Sequence, residues 1–241
     1  MPSPILQSIL PLSRREAALN PIPQMRPVTG AWLRRDDAFD AQLALKSQLI
    51  AQHKEDVLHS LPGSEDAQIE LLEIILAQLD SAYQIGADRV RRPDGAWVAL
   101  DWTEPLRTAS QLIQEDLCLL QKRGGEHVLT AALLCFPASW TLAQKIGRPL
   151  SVIHVPVPEY NAEIATRVQR LFDGIQPGRP IWRANLLRYD DPSLYQPRRE
   201  DDPRETGSPD AKYWRSERQT VLRLPKSQAV LFAIHTLVVE A

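Results

Sequence analysis

YWRSERQTVLRLPKSQAVLFAIHTLVVE, residues 213–240, decides the fold. Arg218 to Leu224 and Ala229 to Val239 are rich in β-branched and apolar residues and read as strands. Pro225-Lys226-Ser227 makes the turn between them. The chain therefore closes on an antiparallel hairpin. Upstream, residues 190–210 are dense in proline and charge and form a long loop, and Ile181 to Tyr189 reads as another strand. Glu159 to Phe172 has helical period, with Ile164, Val168, Leu171 and Phe172 on one face. Pro156 and Pro158 push Ser151 to Val157 out of helical geometry. Ser139 caps a short helix ending at Gly147. Val128 to Phe136 is almost continuously apolar. It reads as a strand covered on both faces, with a buried helix left open by period alone.

The first half is helical in pattern. Asp36 or Asp37 caps a helix to about Leu58 that carries Phe39, Leu43, Leu45, Leu49 and Ile50. Ser64 is placed to cap the next, which runs to about Tyr83 with Leu71, Leu72, Ile75, Leu76 and Leu79 at three- and four-residue steps. Glu65 and Asp66 complement its dipole. Pro93-Asp94-Gly95 turns into a short strand. Thr103 to Gln121 reads as helix, with Ile113, Leu117 and Leu120 on one face and Gly124-Gly125 ending it. Helices first and strands later argue for α+β with an antiparallel sheet rather than a doubly wound parallel one. Residues 1–35 are expected as an extended, proline-punctuated arm, and 36–241 as one domain with an N-terminal helical layer. There is no internal repeat or low-complexity segment.

Composition narrows the function. A chain of 241 residues buries a sizeable core without staples. Its net charge of −2 offers no basic surface for nucleic acid. Its two cysteines, Cys118 and Cys135, form neither a metal motif nor a disulfide framework, as expected of a reducing, cytoplasmic setting. The N-terminus lacks the pattern of a signal peptide, and no window reaches the roughly 18 apolar residues of a membrane span. Twenty prolines against ten glycines favour stiff connections. No GxGxxG, Walker A, HExxH, GxSxG or CxxC pattern occurs.

Five histidines are present. His53 and His59 lie near the end of a polar helix and read as surface residues. His127, beside Glu126, reads as solvated. His235 interrupts an apolar strand and faces outward by alternation. His154 stands among valines and prolines, and has two readings: a satisfied core histidine, or an axial ligand to a buried cofactor. Cys135 ranks below it, because a buried thiol usually behaves as a small hydrophobe. Strand alternation puts Arg215 and Glu217 on one face, opposite Ser216 and Arg218. Arg183 and Asn185, two apart on another strand, are placed to extend the same polar face. Such a set is either a surface salt-bridge ladder or a polarised pocket, in which arginine donates to carboxylate or dioxygen and glutamate holds a cationic amine. Trp182 and Trp214 read as packing residues.

Several blocks, in order, resemble the haem-dependent oxidative N-demethylase alpha-subunit family. They are GAWLRRD (30–36), EDAQIELLEIILAQL (65–79), EDLCLLQ (115–121), CFPASWTLAQKIGRPLSVIHVPVPEY (135–160), RVQRLFDGIQPGRPIWRANL (167–186) and WRSERQTVLRLPKSQAVLFAIHT (214–236). The resemblance covers roughly Arg26 onward. It implies a PAS-like antiparallel sheet with flanking helices enclosing haem b. It also implies an NAD(P)H-linked monooxygenase that demethylates a small methylated amine with dioxygen. Electrons would come from a separate reductase carrying flavin and an iron–sulfur cluster. By the same resemblance His154 is the proximal iron ligand, Arg215 or Arg218 faces bound oxygen, and Glu217 holds the substrate ammonium. The chain departs from the family pattern at His235, where arginine is more usual, and stops at Ala241, before the family's usual end. The contrasting expectation is a non-catalytic haem- or gas-sensing module on the same scaffold.

Overall fold

The C-terminal hairpin forms, and is longer than its apolar runs alone predict. In the computed structural model, which describes residues 3–18, 25–153, 162–202 and 207–241, β10 (Tyr213–Arg223) pairs with β11 (Val230–Glu240) over its whole length. Its turn is anchored elsewhere. The Glu70 carboxylate accepts from the backbone N–H groups of Lys226 and Ser227 at 2.6 and 2.7 Å, and Gln228 takes the left-handed conformation at φ 58°.

Around this hairpin the elements, in chain order, begin with α1 (Leu12–Ala18), β1 (Arg26–Pro27), α2 (Phe39–Val57), β2 (Leu58–Ser60) and α3 (Glu65–Gln78). Then come β3 (Gln84–Ile85), β4 (Arg89–Arg91), β5 (Trp97–Ala99), α4 (Pro105–Ser110), β6 (Asp116–Arg123) and β7 (Glu126–Leu133). A 3-10 turn at Leu142–Gln144 precedes α5 (Leu150–Ile153), α6 (Ala162–Gly174), β8 (Ile181–Ala184) and β9 (Leu187–Tyr189). The main sheet has the order β1-β8-β10-β11-β6-β7-β2, with β9 also on β10, and every strand pair in it is antiparallel. β3, β4 and β5 form a separate meander. The chain is α+β.

Both faces of the sheet are covered, which explains why its central strands lack a clean alternation. On the first face Leu117, Leu133, Leu222, Leu231 and Ala233 pack with α2, α3 and α4 through Leu49, Leu71, Leu72, Ile75 and Leu106. Each such fully buried aliphatic side chain contributes roughly 1.5–3 kcal/mol. On the second face Cys118, Leu120, Val221, Val230 and Ile234 pack with Leu142, Leu150, Phe172 and Ile175. Arg223 ties α6 to this face by donating to the carbonyls of Phe172 and Ile175 at 2.6 and 2.7 Å.

Several local expectations are corrected. Residues 103–121 are not one helix: α4 ends at Ser110 and EDLCLLQ enters β6. With Leu117 and Leu119 on one face and Cys118 and Leu120 on the other, a doubly buried strand mimics the helical spacing of Ile113, Leu117 and Leu120. Gly124-Gly125 is the two-residue turn of the β6–β7 hairpin. α3 stops at Gln78, and Ser64 precedes it without a side-chain cap bond, donating instead to the Leu61 carbonyl at 2.7 Å. The N-terminal stretch contains α1, and its β1 joins β8 at the sheet edge. Leu150–Ile153, expected as partly extended, is one helical turn.

Candidate functional site

The β8–β10 pairing aligns Arg183 with Gln219, and places Asn185 beside Glu217 just past the end of β8. These side chains lie on the second face. The Glu217 carboxylate is buried. Its Oε2 accepts from Asn185 Nδ2 at 3.2 Å and from Gln219 Nε2 at 3.3 Å. Glu217 N donates to Asn185 Oδ1 at 2.7 Å, and Arg183 Nε donates to Gln219 Oε1 at 2.7 Å. Burial lowers the Arg183 pKa, and the Glu217 charge works against that fall. The set is a connected polar patch at the margin of an otherwise apolar face.

Arg215 shares this face and is 2 % exposed. Its Nη2 donates to the Phe136 carbonyl at 2.7 Å, and its Nη1 to the Leu194 carbonyl at 3.1 Å. Its Nε lies 3.6 Å from Glu217 Oε1 without a hydrogen bond. The guanidinium thus laces β10 to the segment after β7 and to the 190s loop. A cavity of about 250 Å³ opens beside that junction, lined by Asp56, Leu134, Pro137, Trp140, Leu142 and Tyr195 among others. Its volume suits a small molecule.

Arg218 is on the other face. Its cross-strand partners are His235 and Ala184, and its guanidinium stacks 4.2 Å over the Trp182 ring. The sheet therefore separates Arg218 from Arg215 and Glu217. Around Arg218 lies a buried charged cluster that sequence patterns did not reveal. Arg14, from α1, donates to the carbonyl of His235 at 3.2 Å and to His235 Nδ1. Lys46, from α2, donates to the Glu115 carbonyl at 2.5 Å and pairs with Asp116 at 3.1 Å, both side chains fully buried. Burial raises the Glu115 carboxyl to about 7 and lowers Arg14 to about 10. Single buried polar residues on amphipathic helices leave little trace in a sequence, so only GAWLRRD and EDLCLLQ marked this region.

Two histidine expectations change. His127 is fully buried rather than solvated. It packs on Phe172 beneath α6, and its Nδ1 meets Gln169 Nε2 at 2.8 Å. His235 is buried rather than outward-facing, because α1 and α2 cover its face. Its Nδ1 faces an arginine, which only donates, so the neutral ring carries its proton on Nε2. Burial, reinforced by the surrounding cations, holds His235 well below its ordinary pKa. Neither buried imidazole among the described residues thus offers a free lone pair. His154 lies outside the described residues; it directly follows Ile153, whose side chain packs on the second-face core. Burial pushes the Cys118 and Cys135 thiols up, so neither is a ready thiolate ligand.

The described residues hold no group of three or more His, Cys, Asp or Glu disposed to bind a metal ion. Haem iron needs only one or two protein ligands, so that observation does not bear on it. Among the described residues no helix is long and apolar enough to cross a membrane.

Fold and site define an α+β protein with an apolar, helix-covered sheet face bordered by a fixed glutamate and its amide partners. Residues 24–241 match the family model described as haem-dependent oxidative N-demethylase, alpha subunit-like, and the chain belongs to this family. That description is of an oxidative, haem-dependent type of enzyme and of one component in a multi-subunit assembly.

Proposed function

We propose that this chain is the haem-bearing component of an oxidative N-demethylase acting on a small methylated amine with dioxygen. The observation that carries this reading is the buried Glu217 carboxylate, fixed by Asn185 and Gln219 on an apolar sheet face. A carboxylate so held is preorganised for a small ammonium ion, because its geometry is set before the ligand arrives.

Haem b is what the family resemblance implies, since among the described residues no buried imidazole offers a free lone pair and no thiol a ready thiolate. The second face, packed by Phe172 and Ile175, is apolar, and the resemblance implies a PAS-like sheet with flanking helices around the haem. The family resemblance supplies one imidazole, His154, as proximal ligand, and the buried thiols do not compete with it. Arg183, half-buried and with only its Nε committed to Gln219, is suited to a haem carboxylate. When bound, haem supplies dioxygen activation and oxidation of the C–H bond next to nitrogen.

The remaining work falls to the chain. Glu217 binds the ammonium and Asn185 holds Glu217 in place. Of the two arginines considered for the oxygen side, Arg215 is the one sharing Glu217's face, and its Nε is the donor without a hydrogen bond. Its other donors keep Phe136 and Leu194 fixed. The adjoining 250 Å³ cavity suits passage of the amine or its product. The two cysteines are too few to hold an iron–sulfur cluster, which agrees with electrons from NAD(P)H by way of a separate flavin and iron–sulfur reductase.

The test is turnover. Haem-loaded protein, NADPH, such a reductase, dioxygen and dimethylamine should release formaldehyde. A protein that binds haem but gives neither formaldehyde nor a dimethylamine-dependent spectral change is a sensor or binding module instead.

A further inference from the structure

The face of the sheet opposite Glu217 carries an observation that demethylation does not use. Arg218 is 6 % exposed, yet its Nε and Nη2 have no hydrogen-bond partner among the described residues. These two atoms form one edge of the guanidinium, the edge that grips a carboxylate or phosphate through two parallel bonds. Trp182 stacks on the flat of the group at 4.2 Å and fixes the plane of that edge.

Among the described residues the neighbouring atoms without a hydrogen bond include a donor, Arg34 Nε, and an acceptor, Glu115 Oε2. His235 Nε2, which carries the ring proton because Nδ1 accepts from Arg14, lies 3.5 Å from Asp36 Oδ2. The nearby carboxylates are engaged: Asp116 by Lys46, Asp36 by Gln114 and Ala38, and Glu115 through one oxygen by Arg34 N. None lies within ion-pair reach of Arg218 among the described residues; burial, reinforced by Arg34 and Arg14 and opposed by Glu115, lowers its pKa to about 9. Buried donors without acceptors are costly, and an arginine cannot shed its charge near neutral pH. Two unpaired donors on one fixed guanidinium edge call for a ligand with two acceptor oxygens.

We propose that Arg218, with Arg34 and Arg14, forms a buried binding site for a small oxyanion, a carboxylate or inorganic phosphate. The site lies across the sheet from Glu217 and does not depend on the amine reading. Stacked on Trp182, Arg218 supplies the two-pronged contact, and Arg34 Nε supplies a further donor.

The experiment is isothermal titration of the 241-residue chain, as purified, with inorganic phosphate and separately with acetate. Both are run at constant ionic strength in chloride. Saturable heat at about one site per chain for either anion supports the proposal. A phosphate-only response identifies a tetrahedral ligand, and an acetate-only response a planar one. Heat no different from added chloride for both anions overturns it. Thermal melts of Arg218→Met add a second measurement. Removing an unpaired buried charge should raise the midpoint in oxyanion-free buffer and abolish any anion-dependent rise. A lowered midpoint in that buffer means the guanidinium already has its partner, and overturns the proposal without reference to titration.

Discussion

Asn185 and Glu217 are joined by three hydrogen bonds. Asn185 N donates to the Glu217 carbonyl at 3.1 Å, Glu217 N to Asn185 Oδ1 at 2.7 Å, and Asn185 Nδ2 to Glu217 Oε2 at 3.2 Å. The first two extend the β8–β10 pairing past the end of β8, with a side-chain amide standing in for a backbone carbonyl. The third uses the same amide to aim the carboxylate. Backbone pairing and side-chain orientation are therefore one device.

Glu217→Gln keeps the size and removes the charge. Amine binding should weaken about 10- to 100-fold, the equivalent of roughly 1.5–3 kcal/mol for a hydrogen bond to a charged group. Haem content should stay unchanged. Dimethylamine titration of the haem spectrum measures both. Loss of haem with amine affinity intact would instead give the glutamate a structural job.

Arg215→Ala removes a buried cation whose donors hold the carbonyls of Phe136 and Leu194. It also leaves Glu217, 3.6 Å away, without its charged neighbour. The expected destabilisation is about 3–5 kcal/mol, read as a lowered urea midpoint. A change below about 1 kcal/mol would mean that water replaces the guanidinium at little cost.

Glu115 predicts a pH dependence of stability. Burial raises its folded-state pKa from 4.5 to about 7. Below 4.5 both folded and unfolded states are protonated and this contribution is fully present. As pH rises toward 7 the unfolded chain ionises first, so stability falls, by roughly 3 kcal/mol in total. His235 acts in the opposite sense: its depressed pKa forfeits stability as pH drops below 6.5. Comparison with Glu115→Gln isolates the first effect. The variant's gain over wild type should grow between pH 5 and 7 and then level off, in denaturant melts run across that range. A gain independent of pH would mean Glu115 is ionised throughout.

Much of this architecture was legible in the residues themselves. The hairpin of β10 and β11, the buried strand at Val128, helix α3 and the α+β order all follow from apolar pattern and turn chemistry. Alternation along YWRSER put Glu217 with Arg215 and Arg218 opposite, and the spacing of Arg183 and Asn185 put those two on one face, which the β8–β10 register makes the Glu217 face. What escaped has a common cause. A strand buried on both faces loses its period of two, so β6 resembled helix and His127 and His235 looked available to solvent. Arg14, Lys46 and Glu115 lie far apart in sequence and gather only when α1 and α2 close over the sheet. Their burial is a tertiary property that local pattern does not encode.

The most direct test of the account is the visible absorption spectrum of the chain after haem loading, compared between wild type, His154→Ala and His127→Ala. Wild type and His127→Ala should share the Soret and Q bands of histidine-ligated haem, while His154→Ala loses stoichiometric haem or shows the bands of an altered ligand. A His154→Ala protein with full haem and an unchanged spectrum would contradict the assignment of the iron ligand, and with it the placement of the chemistry on the second face of the sheet.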